Sequence, residues 1–263
     1  MIHATVFEWL GSGNNLRFIL EGFLINLEIA VVAIVLALAA GLALALLRLS
    51  RNRLVSTLAG LWVDLFRNLP LLLLILFLFL WIPQSWRENW ESLIPGWAPD
   101  AFQSGLMLAG LSGLVLYNSA VLAEIMRAGI LSLPRGQAEA ASALGLNYRQ
   151  SMRHVILPQG LRRMVPATVS QLITLNKDTT LVSIIAITEV MRRARTVTAT
   201  SGNPFTGGGV DAPILEVFLF VGLLFIIVNF ALSRLSRRLE IRERARGGAV
   251  PKPKVRGLEE QIA

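Results

Sequence analysis

The sequence predicts an all-α membrane protein with five transmembrane helices, its N-terminus outside and its C-terminus inside. Three observations carry this expectation. Of the 263 residues, 54% are hydrophobic and only 16% charged, where a soluble globular domain has about 25% charged positions. Five segments approach the roughly 20 apolar residues that a helix needs to cross the bilayer core. The basic residues, finally, are divided unevenly between the loops that those segments define, which is how a membrane protein encodes its orientation.

Phe23–Leu47 is the first segment, and its Ile29–Leu47 portion carries no charge. The second is centred on Pro70–Ile82 and is expected to begin in LVSTLAGLWVDLF, which places Asp64 and Arg67 in or beside it. Gly105–Leu122 is the third, uncharged until Glu124. The fourth, Val165–Ile187, is interrupted by Lys177 and Asp178, and the fifth is Pro213–Leu232, with Glu216 near its start. Backbone groups in lipid must be paired within the chain, and the alternating pattern of a membrane barrel is absent, so these segments are read as helices. The N-terminal MIHATVFEWLGSGNNLRF has neither the positive start nor the small-residue cleavage site of a signal peptide, and the first apolar run is expected to be retained.

With the N-terminus outside, the inner side holds Arg48, Arg51 and Arg53, the six arginines from Arg127 to Arg163, and nine basic residues from Arg234 to Arg256. That is 18 of the 25 basic residues; the outer side holds five, Arg17, Arg87, Arg192, Arg193 and Arg195. Three parts follow: an extracytoplasmic segment 1–19, a transmembrane domain 20–235 and a cytoplasmic tail 236–263. Trp86, Trp90 and Trp97 in the outer segment Gln84–Gln103 suit a membrane interface, where indole rings sit half wet. Thr196–Asp211 is read as a flexible outer loop from its Gly and Thr content. The last helix is expected to run to about Arg246, and the tail beyond it has too little apolar content to pack.

The formal charge of +8 does not indicate nucleic acid, because most of the basic residues flank apolar runs. There is no cysteine, and the two histidines, His3 and His154, are too far apart in the chain for a catalytic or metal cluster. No nucleophile or acid–base set suggests an enzyme. A phosphate-binding GxxxxGK[ST] loop is also absent, so the chain does not hydrolyse ATP itself.

The longest interruption between apolar runs is PRGQAEAASALGLNYRQSMRHVILPQGLRRMVP, Pro134 to Pro166, with five arginines against one carboxylate, Glu139. Pro134 suits the first turn of a helix and QAEAASAL is strong helix-forming sequence. Gly145 falls where a helix would end on a left-handed residue, and Asn147 can cap the next helix. Pro158 then opens a further helix towards the fourth segment. The pattern is two short helices joined by a glycine corner: an ordinary surface pair or a docking device.

The spacing favours the second. Glu139-Ala140-Ala141, Gly145, then Val155-x-Leu157-Pro158 resembles the EAA loop of ABC-importer permeases, with Val155 in place of isoleucine as the one departure. YNSAVLAEIMRAGILSLPRGQAEAASALGL, LNKDTTLVSIIAITEV, FRNLP (Phe66–Pro70) and HVILPQGLRRMVP extend the likeness over roughly residues 20–235, to the polar amino-acid uptake permeases. Leu116–Ile125 is most similar to glutamate permeases, while Asn68 and Leu69 depart from the usual FRGTP. The resemblance implies a type I importer transmembrane fold with a cytoplasmic coupling segment at 134–158, in a multi-pass protein of the cell membrane. It also implies partners: a cytoplasmic ATPase dimer carrying ATP and magnesium, a second permease subunit, identical or similar, an extracytoplasmic solute-binding protein, and an amino-acid substrate. Glutamate leads, with aspartate, glutamine or a basic amino acid as alternatives. In that picture Glu139, Ala140, Ala141, Gly145 and Pro158 form the ATPase-docking segment. A secondary transporter would have no use for such a segment, and the inverted repeats frequent in carriers are not seen here.

A charge near the bilayer centre costs at least about 2.5 kcal/mol, so Lys177 and Asp178 should face a cavity or a partner. Two readings stand. They tether helices in a network with Asp64, Arg67 or Glu124, or they line the substrate route, Arg67 or Lys177 taking a carboxylate and Asp64 or Asp178 an ammonium. The resemblance places Asp64 and Asp178 on the route. Asn118, Ser119, Gln171 and Thr179 either line it too or simply join helices.

Overall fold

The computed structural model describes residues 8–11, 14–200 and 214–246, and every regular element among them is helical. In chain order these are α1 (Glu8–Gly11), α2 (Asn15–Arg48), α3 (Arg53–Asn68), α4 (Leu71–Trp81), α5 (Gln84–Leu93), α6 (Asp100–Gln103), α7 (Leu106–Leu131), α8 (Arg135–Ala143), α9 (Tyr148–Ser151), α10 (Leu157–Asp178), α11 (Val190–Thr200) and α12 (Ile214–Arg246). A π-helical turn, Met152–Ile156, joins α9 to α10, and a 3-10 turn, Thr179–Ile185, follows α10.

α7 is the centre of the bundle, packing against α2, α3, α4 and α10. Three apolar cores stack along it and α2. Ile29, Ala33, Ile75, Leu114, Leu122, Leu175 and Val182 belong to the middle one. Trp9, Ile19, Phe23, Val190 and Val217 close one end, and Ala45, Val63, Ala120, Met126 and Met164 close the end that carries the arginines. α2 is apolar around nearly its whole circumference and, at 34 residues, spans about 50 Å. α12 leans on α10 and α11 and leaves Leu219, Leu223, Ile226, Ile227 and Phe230 exposed, as expected of a surface meeting lipid or another subunit.

Among the described residues, three helices are each long and apolar enough to cross a membrane: α2, α7 and α12. The second predicted segment is not one continuous helix. α3 and α4 meet at a 103° bend, because Pro70 has no N–H to donate and forces Leu69 into an extended conformation, φ −81° and ψ 136°. Taken as one broken span, the pair makes a fourth. α10 has the length, 22 residues, but Gln171, Asn176, Lys177 and Asp178 dilute its apolar face. Thr196–Thr200, expected as loop, is the end of α11; the remainder of that predicted loop and the tail beyond Arg246 lie outside the described residues. Trp90 is half-buried, and its indole N–H donates to the Phe102 carbonyl at 2.8 Å, pinning α5 to α6. Trp86 and Trp97 are exposed.

Candidate functional site

The Pro134–Pro166 segment folds as its residues dictate. α8 starts immediately after Pro134 and ends in a left-handed glycine, Gly145 at φ 78°. The Gly145 N–H donates to Ser142 O and the Leu146 N–H to Ala141 O, which satisfies two terminal carbonyls of α8 and turns the chain back. Asn147 then caps α9 reciprocally with Gln150: the Asn147 side chain accepts from the Gln150 N–H and the Gln150 side chain from the Asn147 N–H. The corner is thus closed at both ends by local hydrogen bonds.

Glu139, Ala140, Leu144 and Pro158 are exposed, whereas Ala141 is 2% exposed. Four of these five predicted or neighbouring positions therefore share the outer surface, and Ala141 faces inward, where α8 rests on α9 and the π turn. Leu144, 81% exposed between Ala143 and Gly145, went unnoticed in the sequence. A large apolar side chain at the tip of a polar corner is the signal that could have found it.

The corner is tied to the bundle on two sides: Gln159 of α10 donates to the Gln137 side chain of α8 at 3.1 Å, and the Tyr148 hydroxyl of α9 donates to the Leu49 carbonyl at the end of α2 at 3.2 Å. Arg163 of α10 donates to the Ser132 carbonyl that ends α7, at 2.8 Å. Behind them α7 and α10 touch at Gly129 and Gly160. A β-carbon on Gly160 would lie 2.9 Å from the Ile130 Cα, and one on Gly129 would lie 2.9 Å from the Gly160 carbonyl oxygen. The α8–α9 corner is therefore mounted on a backbone-to-backbone contact between two long helices.

The predicted membrane charges separate into distinct groups. Glu124 on α7 gathers three arginines: Arg48 at 2.5 Å, Arg127 at 2.9 Å and Arg67 at 3.8 Å. Arg48 also reaches Asp64 at 3.6 Å. This cluster joins the last turn of α2, the end of α3 and α7, and Asp64 and Arg67 both belong to it. Lys177 and Asp178 form no ion pair with it among the described residues. Asn118 is fully buried, donating to Leu114 O and accepting from Gln171 at 2.7 Å, so it ties α7 to α10. Ser119 is buried and donates to Leu116 O.

Lys177 is exposed along a cleft of about 220 Å³ whose walls include Thr180, Met191, Phe218 and Phe225. The Asp178 carboxylate beside it is half-buried, with no hydrogen-bond or ion-pair partner among the described residues. Lys177 lines this cleft and Asp178 does not; the two consecutive residues carry opposite charges, neither of them ion-paired within the clusters above.

A further polar network includes one residue that the sequence singled out, Thr179, which here joins helices; its partners Asn26 and Glu189 had no sequence forecast. Asn26, fully buried on α2, donates to Thr179 Oγ1 at 2.9 Å and to Glu189 at 3.0 Å, and accepts from the Val190 N–H at 3.0 Å. Glu189 also accepts from the Arg192 N–H, capping α11. The lone asparagine in the α2 apolar run was the visible signal. The network holds the turn in which Ala186 takes φ 70°, a left-handed conformation that is costly for a residue with a β-carbon. No group of three or more His, Asp or Glu side chains placed to hold a metal occurs among the described residues.

Residues 33–244 match the family described as binding-protein-dependent transport system inner membrane component. The "Probable glutamine ABC transporter permease protein GlnP" of Bacillus subtilis is 36% identical over 232 residues, 88% of this chain and 96% of that protein. The glutamate/aspartate import permease protein GltK of Escherichia coli is 33% identical over 236 residues, 90% of this chain and 98% of its own. In a crystal structure of an amino acid ABC transporter with histidines, one chain superposes with a TM-score of 0.69 at 26% identity, covering 89% of this chain and 98% of that one.

Proposed function

The chain belongs to the binding-protein-dependent transport inner-membrane family, as an amino-acid ABC permease with the type I importer fold, and we propose that the amino acid it passes is acidic or its amide, glutamate first. A permease of this kind is not itself an enzyme, and ATP is hydrolysed by a separate subunit. The observation that carries the mechanism is the α8–α9 corner, which exposes Glu139, Ala140 and Leu144 and is tied to α10 through the Gln137–Gln159 hydrogen bond, α10 in turn lying directly on α7 at Gly160.

In this reading the arginine-rich end faces the cytoplasm, and an ATPase dimer bearing ATP and magnesium seats α8 in a groove. Glu139 supplies a charged contact and Ala140 permits close approach, while Gly145 and Pro158 fix the angles at which α8 leaves and α10 begins. Closure of the ATPases moves α8, and α10 follows because α7 and α10 touch without side chains between them. The membrane helices then shift between inward-open and outward-open arrangements, the ATPases supplying the difference in stability between the two. A second permease subunit faces the exposed side of the bundle, and an extracytoplasmic binding protein delivers the substrate.

Asp178 and Lys177 are the groups we assign to substrate, the carboxylate for the ammonium and the ammonium for a carboxylate. Five crossings of the cell membrane follow if α10 with its 3-10 turn lies against a polar route rather than lipid. Glutamate leads because Leu116–Ile125 has the glutamate-permease wording and a glutamate/aspartate permease is among the relatives; glutamine is next, on the Bacillus relative.

The test is purification with a tag on this chain, followed by uptake in proteoliposomes. A nucleotide-binding subunit should co-purify, and ATP should drive accumulation of labelled glutamate that unlabelled glutamate competes away. No co-purifying ATPase would overturn the permease mechanism, and uptake of another amino acid alone would overturn the substrate. Asp178→Asn should lower affinity or rate at least ten-fold in the assembled complex, about the 1.4 kcal/mol of one weakened contact; unchanged transport removes Asp178 from the site.

A further inference from the structure

We propose that the groove between the α2–α3 corner and α9 is a binding site for one anionic phospholipid. This rests on the reading that places the arginine-rich end of the bundle at the headgroup level of the membrane. The groove has a volume of about 760 Å³, with Leu46, Leu47 and Met152 among its walls and Arg51, Tyr148 and Arg149 at its rim.

The rim is preorganised for an anion. The Arg51 guanidinium lies 4.3 Å from the centroid of the Tyr148 ring, and the Tyr148 hydroxyl donates to the Leu49 carbonyl at 3.2 Å, which fixes the ring on the α2 corner. Arg51 is thus held by stacking, with its N–H edge free, a geometry suited to bidentate contact with a phosphate. Neither Arg51 nor Arg149 is ion-paired among the described residues. Arg48, three residues before Arg51, is by contrast committed to Glu124 and Asp64. No carboxylate lines the groove.

The walls decide what kind of phosphate. Leu46 and Leu47 are 37% and 46% exposed on the last turns of α2, on the bilayer side of the arginines. A soluble phosphate would gain nothing from them, whereas an amphiphile with its headgroup on the arginines would lay its chains along the leucines. Basic pockets between membrane helices at this level select anionic headgroups in this way. The lipid would bridge α2 and α9 and brace the corner there.

The experiment uses the complete permease–ATPase complex in phosphatidylcholine nanodiscs, with spin-labelled phosphatidylglycerol or spin-labelled phosphatidylcholine as the probe. The complex should immobilise phosphatidylglycerol in preference, by about five-fold per arginine engaged. Paired R51Q and R149Q should abolish the preference, paired R51K and R149K should keep part of it by charge alone, and R234Q, outside the groove lining, should leave it intact. Should the paired glutamine variant fail to assemble, M152W fills the groove with both arginines in place and should also abolish the preference. A preference that survives R51Q with R149Q, or M152W, overturns the site. So does its loss to inorganic phosphate at matched ionic strength, which would mean an anion site without lipid, or its absence from the complete complex and appearance only once the ATPase is stripped away, which would make the groove an ATPase seat. Amino-acid uptake measured on the same samples is a separate readout, so a failed lipid site leaves the transport reading standing and the reverse.

Discussion

Gly145 carries more of the proposed mechanism than any charge near it. Its φ of 78° lies where a β-carbon meets the following carbonyl, at a cost of about 1–2 kcal/mol for an ordinary residue and more for a β-branched one. No neighbour would obstruct a side chain there, so the constraint is conformational rather than steric. Gly145→Val should therefore leave the permease in the membrane yet change the angle between α8 and α9. The expected outcome is ATP hydrolysis without matching uptake, measured side by side in proteoliposomes. Gly145→Asn, which tolerates the left-handed region, should keep most coupling. Coupled transport at the wild-type ratio in the valine variant would mean that the corner angle does not transmit motion.

The α7–α10 contact belongs to the scale of elements. Two glycines face each other where a single methyl on Gly160 would press on the Ile130 backbone, and backbone cannot rotate away as a side chain does. Gly160→Ala should destabilise the chain by about 1–3 kcal/mol, the range for overpacking, seen as a lower midpoint in a detergent thermal melt. Gly96→Ala, with open space around it, should not change the midpoint. Equal midpoints would show that the helices part easily and that α8 is not rigidly mounted. This contact illustrates what a sequence hides. The α8–α9 corner was legible because capping is local: Pro134, Gly145 and Asn147 each act on the residues next to them, and the Gln150 half of the cap appears only in the structure. Gly129 and Gly160 are 31 residues apart and meet only once two long helices have crossed. Glu124 with Arg48 and Arg67, and Asn26 with Glu189, are likewise long-range. Their residue types were visible, but the partners were set by tertiary packing. The break at Pro70 was legible in principle, since proline ends a helix at the preceding residue, yet the apolar run through it read as a continuous span.

At the scale of the whole molecule, the open quantity is how the bundle sits in the bilayer. α2, α7 and α12 cross on length and composition alone, while α4 rises only about 16 Å over its 11 residues, half of a hydrocarbon core. It must therefore continue through the bent α3 or lie against protein. In the orientation we propose from the arginine distribution, α8 and α9 lie on the cytoplasmic side and α5 on the other. The chain has no cysteine, so single-cysteine reporters carry no background thiol. Ser142 on α8 and Ser92 on α5 are both exposed, and neither contacts the charge clusters. In intact spheroplasts, a membrane-impermeant maleimide should label S92C and not S142C; in inverted vesicles the pattern should reverse. Labelling of both from one side would place α5 and α8 on the same face and require an even number of crossings between them, which would overturn both the orientation and the assignment of α8 to a cytoplasmic ATPase. Labelling of S142C alone in spheroplasts would invert the molecule and leave the lever facing the wrong compartment. The positive-inside bias argues against the inverted outcome, because 18 basic residues would then have to be held on the outer side.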